Sequence, residues 1–139
     1  MSDYTIKTVL AVLLLGTGLA AFLAMMARFG RPGDETRAER LRRFHKKAGW
    51  AYVVILAPLA VFGADFLVEI GNGLTARGTF HFVLAAGLVA IVLLKLLVVK
   101  AYRQQMKYAQ ALGLAIFTLT LVIFLITAGY FVLIRTLGR

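Results

Sequence analysis

Four long apolar stretches separated by short polar segments dominate the chain. They cover about residues 6–26, 48–70, 80–99 and 109–134. A helix of about 20 apolar residues crosses the hydrocarbon core of a bilayer, and each stretch reaches that length. Short connections between spanning helices make consecutive helices alternate in direction. The pattern therefore predicts an all-α fold, an integral membrane four-helix bundle with up-down-up-down topology.

Polar residues at the ends of these stretches refine the expected boundaries. We expect a single transmembrane domain with spans at about 6–26, 45–70, 80–102 and 109–134, and a basic cytoplasmic loop at 28–44. Asp34 is a typical cap for an amphipathic helix, which no breaker separates from the second span. Pro58 predicts a bend in that span. Trp50 and Tyr52 are expected in the headgroup belt, where amphipathic aromatic rings are common.

Composition narrows the class of protein. The chain has 139 residues, of which 61% are hydrophobic, and a mean hydropathy of +0.86. A soluble domain is not this apolar. The absence of cysteine excludes disulfides, iron–sulfur clusters, thiolate metal sites and haem attached through cysteine.

The formal charge of +10 is distributed in a way that indicates membrane topology. Eight basic residues lie between the first and second stretches: Arg28, Arg31, Arg37, Arg40, Arg42, Arg43, Lys46 and Lys47. Three more, Lys100, Arg103 and Lys107, lie between the third and fourth, whereas Arg77 alone lies between the second and third. By the positive-inside rule both basic segments are cytoplasmic and both termini are outside. We expect a multi-pass protein of a bacterial or archaeal inner (cytoplasmic) membrane that contacts lipid and not nucleic acid.

The chain has two histidines, one at the start of the second span and one at the start of the third. His45 is followed four residues later by Gly49, and His81 by Ala85. Residues i and i+4 share one helix face, so each imidazole has a small neighbour beside it. Imidazole is an axial ligand of haem iron, and a flat macrocycle needs such an open face. The pattern predicts that His45 and His81 bind haem iron, with Gly49 and Ala85 giving room.

The two histidines lie near opposite faces of the membrane and cannot bind the same iron. Three arrangements remain open. Two copies of the chain could pair about an axis normal to the membrane and share bis-histidine haems. Another residue of the same chain could supply the second ligand, with Lys95 the candidate at the depth of His45 and Met106 or Met26 weaker ones. A different subunit could supply it instead.

Lys95 lies within the third span, 14 residues after His81 and on the same helix face, with Leu88 and Val92 between them. It either snorkels toward the cytoplasmic surface or serves a site, as a salt bridge to a haem propionate, a contact to quinone or an iron ligand. Asp65 and Glu69 lie at about the depth of His81. They could orient its ring or carry protons at an outer quinone site, or form a polar helix end with Arg77. We place Asp65, Arg77 and Arg43 among the residues expected around the two histidines.

The segments RRFHKKAG, GTFHFVLAAG and LLKLLVVKAY together resemble small four-span bacterial membrane proteins related to b-type cytochromes. The layout is also similar to half of the cytochrome b561 core. The resemblance covers about residues 41–103 and implies haem-binding histidines on successive helices at alternating membrane faces. The spacing of His81 and Lys95 resembles the paired-histidine helices of respiratory cytochrome b, with Lys in the second position. This chain lacks the partner histidines of both patterns.

These observations predict a membrane b-type cytochrome that carries electrons across or within the membrane through one or two haem b groups, with quinone as a candidate exchange partner. It would be a homodimer or a subunit of a respiratory complex. The alternatives are a haem-free anchor or assembly subunit of a larger complex and a small dimeric transporter. No set of residues suggests a hydrolase, so no catalytic residue is assigned, and whether the chain is part of a quinone-linked oxidoreductase stays open.

Overall fold

A computed structural model describes residues 3–29, 33–71 and 73–130, which are almost entirely helical. The helices are α1 (Asp3–Phe29), α2 (Glu35–Ile70), α3 (Ala76–Lys100) and α4 (Ala109–Phe124). A 3₁₀ helix (Arg103–Tyr108) precedes α4, and a π-helical segment (Leu125–Gly129) continues it. The described part of the chain contains four helical segments long and apolar enough to cross a membrane. The predicted membrane four-helix bundle is confirmed, although residues 131–134 of the fourth span lie outside the described residues.

The second helix is longer than a membrane requires. Its 36 residues rise about 54 Å, against a hydrocarbon core of about 30 Å. It begins at the cap Asp34, whose side chain accepts a hydrogen bond of 2.9 Å from the Arg37 amide, and ends at Gly71, whose φ of 52° suits glycine. The amphipathic segment and the second span therefore form one helix. The first turns of α2 extend beyond the apolar core as a basic stalk.

The four helices contact one another unequally. α1 packs along both α2 and α4, and α3 packs along α4, whereas α2 and α3 make few contacts. Gly18 of α1 makes a close approach, because a Cβ there would lie 3.3 Å from the ring of Tyr52. Small residues at such positions let membrane helices approach closely. The bundle is consequently tight around α1 and open between α2 and α3, where Lys100 Nζ lies 5.1 Å from the centre of the Trp50 ring.

A core forms where side chains from all four helices meet. The buried members are Leu14, Tyr52, Leu56, Leu88 and Val92, with Ile116, Leu119 and Ile123 of α4 packed against them. Tyr52 is only 5% exposed, so the prediction that it lies in the headgroup belt is wrong. Its hydroxyl lies 2.6 Å from Thr120 Oγ1, which donates in turn to the Ile116 carbonyl at 2.7 Å. The Thr120 proton is thereby used, so Tyr52 is the donor to Thr120, and this satisfied bond allows Tyr52 to lie in the interior.

The outer half of α2 differs from its inner half. The buried residues of α2 end at Leu56, and Pro58 follows two residues later. Beyond that point large apolar side chains are exposed, such as Val61 and Val68. Proline removes a backbone donor and bends a helix at this type of position. The outer half of α2 is thus left with little packing against the rest of the described chain.

Candidate functional site

His45 is held by a hydrogen bond to the neighbouring helix. Its Nδ1 lies 2.8 Å from the carbonyl oxygen of Ala21 on α1. A carbonyl can only accept, so Nδ1 carries the proton and donates it. With Nδ1 donating, Nε2 is the nitrogen whose lone pair can bind a metal when the ring carries one proton, as in metal-binding histidines whose second nitrogen donates to a backbone carbonyl. The side chain as a whole is half-buried.

The residue one turn beyond His45 leaves room beside the ring. No atom outside the helix backbone lies within 4 Å of the position that a Cβ on Gly49 would occupy. Gly49 is half-buried, so this space lies at the surface of the bundle and not in an enclosed cavity. The open face that the sequence predicts beside His45 is present.

His81 is also half-buried, but its ring is not held in this way. Its Nδ1 is buried and has no hydrogen-bond partner among the described residues. From the sequence we considered that Asp65 could orient this ring, but its carboxylate makes no hydrogen bond to the buried Nδ1. Ala85, one turn further on, is half-buried as well. The outer histidine therefore has the small neighbour that the sequence predicts and lacks the orienting bond.

The remaining residues expected near His81 lie elsewhere at the outer end. The guanidinium carbon of Arg77 lies 3.8 Å from the centre of the Tyr130 ring, at the end of the fourth span. Asp65 and Glu69 instead line a partly open cavity of about 250 Å³ between the start of α1 and the end of α2. Ile6, Lys7, Phe62 and Phe66 complete its wall. Arg77 and the two carboxylates therefore do not form the alternative pairing that we considered from the sequence.

Arg43, the residue expected near His45, faces solvent on the α2 stalk. Its Nε lies 3.0 Å from Glu39 Oε1, and Arg42 Nε lies 2.9 Å from Glu39 Oε2. Hydrogen bonds from Arg42 and then Arg43 lower the pKa of the Glu39 carboxyl, so it stays ionised on the stalk. Such exposed pairs between residues three and four apart stabilise a helix only slightly. Arg43 makes no contact with the His45 ring.

Lys95 lies against α4. Its Nζ is 2.9 Å from the position that a Cβ on Gly113 would occupy, so only a glycine leaves this space open. Leu88 and Val92, which share its helix face, are buried in the core. The predicted common face of His81 and Lys95 is therefore the face of α3 that packs inward. The amine points to the neighbouring helix and does not follow its own helix past Val99 to the surface.

Three contacts fix the relative levels of these residues along the bundle. Arg77 faces Tyr130 and Lys95 faces Gly113, so α3 and α4 are antiparallel, and His81 is level with the π-helical segment. Tyr52 faces Thr120 on α4, which runs in the same direction as α2. His45 precedes Tyr52 by seven residues, and Gly113 likewise precedes Thr120 by seven.

His45 and Lys95 therefore share one level, and His81 lies about 20 Å away along the axis by the rise of an α-helix. This separation agrees with the prediction that the two histidines do not bind one iron. Within the described residues no group of three or more His, Cys, Asp or Glu side chains could hold a metal ion.

The sequence offered little sign of three features of this region. The contact between Tyr52 and Thr120, the space that Gly113 leaves for Lys95 and the π-helical segment all depend on how helices rotate against each other. The available signal was the presence of polar residues, such as Lys95 and Thr120, inside largely apolar spans. Threonine side chains in helices commonly donate to a carbonyl one turn earlier, and Thr127 Oγ1 donates to the Ile123 carbonyl at 2.6 Å in this way.

Fold and site together define a multi-pass helical membrane protein with one anchored imidazole and one unanchored imidazole at different depths. Comparison of the chain with protein-family models, with curated proteins and with solved structures gave no match.

Proposed function

We propose that this protein is a membrane b-type cytochrome whose haem is bound through Nε2 of His45. The observation that carries the proposal is the hydrogen bond from His45 Nδ1 to the Ala21 carbonyl. This bond selects the tautomer with a bare Nε2 and fixes the orientation of the ring, which are the two requirements of an axial ligand.

The residues around His45 fit one axial position and one side of a flat macrocycle. The ring is half-buried, and Gly49 leaves open space beside it. The described part of the chain provides no second imidazole at this level. Of the arrangements that the sequence left open, we propose the one in which His45 of another copy supplies the second ligand across an axis normal to the membrane, so that the protein is a homodimer.

A haem iron at this position would supply one-electron transfer. The chain's own residues would bind it and orient the His45 ring. Lys95 lies at the same level against α4, and His81 lies about 20 Å further along the axis. A second haem at His81 and exchange with quinone remain predictions, since the His81 ring lacks an orienting partner.

A haem-free anchor subunit of a larger complex is the second candidate. The outer half of α2 favours it, because Val61 and Val68 are 58% and 85% exposed and no residue of α2 beyond Leu56 is buried. A partner subunit could cover this surface in the same way as lipid does. The two candidates differ in one property, which is the presence of a chromophore.

The test is a reduced-minus-oxidised absorbance spectrum of protein purified in detergent from cells supplied with haem, together with the haem-to-protein ratio. We expect b-type bands and one haem for every two chains. Two haems for every two chains would add His81 as a ligand. A colourless preparation that is folded and monodisperse would contradict the cytochrome proposal and favour the anchor subunit.

A further inference from the structure

Lys95 is a basic residue inside the bundle, and no acidic side chain among the described residues pairs with it. The six acidic residues are Asp3, Asp34, Glu35, Glu39, Asp65 and Glu69, so α3, α4 and everything after Glu69 contain none. Asp34, Glu35 and Glu39 belong to the stalk of α2 or its cap, and Glu39 already pairs with two arginines. Asp65 and Glu69 lie at the opposite end of the bundle, in the cavity beside Lys7. Among the described residues Lys95 forms no ion pair.

The direction of α3 keeps the Lys95 amine away from the nearest surface. Side chains on a helix lean toward its N-terminus, and the N-terminus of α3 is at the outer end of the bundle. Lys95 is five residues before the end of α3 at Lys100, which is about 8 Å along the axis. Its amine lies instead beside α4, in the space that Gly113 leaves open. The side chain is half-buried and so keeps part of its surface exposed.

More basic residues surround the same end of α3 and α4. Lys100, Arg103 and Lys107 are all exposed there, and Lys100 lies over the exposed ring of Trp50. Basic residues between and beside membrane helices at the cytoplasmic face attract the phosphate groups of anionic lipids. An acyl chain would pass along the exposed apolar surface of α3, which includes Leu93, Leu94 and Leu97.

We propose that Lys95 and Gly113 form a binding site for the phosphate group of an anionic phospholipid of the basic, cytoplasmic leaflet. Lys95 supplies the charge, Gly113 leaves the room that keeps the amine beside α4, and the basic rim draws the lipid in. The site is independent of the haem proposal, because it lies at the contact of α3 with α4 and not at that of α1 with α2.

The experiment measures lipid retention on the full-length protein by native mass spectrometry in detergent. Phosphatidylglycerol, which is anionic, is compared with phosphatidylcholine, which has no net charge, at matched concentrations. The unmodified protein should retain phosphatidylglycerol at least tenfold more tightly than phosphatidylcholine. Equal retention of the two lipids would overturn the proposal.

Two variants locate the site. Lys95→Met removes the charge, and Gly113→Ala places a methyl group 2.9 Å from the amine, which can swing aside because it ends a flexible side chain. Each should weaken phosphatidylglycerol retention about tenfold. The matched controls are Lys46→Met, on the exposed stalk, and Gly87→Ala, where an added Cβ meets nothing within 4 Å. Both controls should bind as the unmodified protein does.

The proposal fails if Lys95→Met retains as much phosphatidylglycerol as Lys46→Met does. If Lys95→Met does not fold, Gly113→Ala replaces it in the test, and the proposal fails if Gly113→Ala retains as much phosphatidylglycerol as Gly87→Ala does. A final arm adds inorganic phosphate at the concentration of the lipid headgroup. Loss of the bound lipid in that arm would assign the site to a soluble anion and overturn the lipid assignment.

Discussion

His45 and His81 occupy comparable places in the chain, each near the start of a membrane span and each followed after four residues by a small one. Their surroundings differ. His45 lies where α1 and α2 pack closely, and the Ala21 carbonyl accepts its Nδ1 proton at 2.8 Å. His81 lies beside the π-helical segment of the fourth span, and its buried Nδ1 has no partner among the described residues.

The difference follows from how the second helix packs at its two ends. On the inner side of Pro58, Tyr52 fills the space left by Gly18, so α1 and α2 approach closely enough for a ring to reach a backbone carbonyl. On the outer side of Pro58 α2 buries no residue and brings no acceptor to His81. An identical residue type with an identical neighbour pattern thus acquires a defined tautomer at one site and not at the other.

The most direct test of the difference between His45 and His81 is to remove each ring in turn. His45→Ala should lower the haem content of purified protein at least tenfold, because it removes the oriented ligand. His81→Ala should leave most of the haem bound. The measurement is the haem-to-protein ratio of the two variants purified side by side. The ligand assignment is wrong if the two substitutions have equal effects or if His45→Ala keeps its haem.

The two rings should also affect stability with opposite sign in haem-free protein. An unpaired buried nitrogen costs about 1–3 kcal/mol, so His81→Leu should raise the free energy of unfolding by an amount in that range. His45→Leu removes a formed hydrogen bond and should lower it by about 1 kcal/mol. Denaturant titration in mixed micelles measures both. A loss of stability in His81→Leu would mean that its ring does have a partner.

The bond between Tyr52 and Thr120 fixes the level of the inner site, and its removal should have a smaller effect. Tyr52→Phe keeps the ring against Gly18 and should lower the free energy of unfolding by about 0.6–1.7 kcal/mol, as for other hydrogen bonds between membrane helices. Tyr102→Phe is the control, because Tyr102 is 50% exposed. In the double variant with Thr120→Val the losses should not add, and strict additivity would refute a direct bond.

The smallest effect is expected at the outer end, where Arg77 stacks on Tyr130. Arg77→Gln should lower the free energy of unfolding by about 0.5–1 kcal/mol, the range of exposed cation–π contacts. Arg103→Gln, at the exposed connection between α3 and α4, is the matched control. In a Tyr130→Leu background, Arg77→Gln should no longer change the free energy of unfolding. A difference that persists in the Tyr130→Leu background would show that Arg77 acts through another group.

The sequence predicted the features of the site that depend on one helix at a time. The shared face of His81 and Lys95, the open face at Gly49 and the continuity of α2 with its stalk follow from helical periodicity and from the absence of a breaker. The positions of Tyr52, Asp65 and Arg77 relative to other helices were predicted less well. Tyr52 was assigned to the headgroup belt because its hydroxyl suits that region, but Thr120 offers the same hydroxyl a partner inside the bundle.

The sequence by itself determined that four helices cross the membrane, because the insertion of a span depends on the summed hydropathy of its own residues. It also determined the residues available at each depth, since helical rise converts position in the chain into position along the axis. Only the tertiary structure decided that the His45 ring meets the Ala21 carbonyl, that Gly113 receives the Lys95 amine and that Nδ1 of His81 stays unpaired. These contacts depend on the rotation and register of one helix against another, and between apolar helices close packing and a few polar bonds set both.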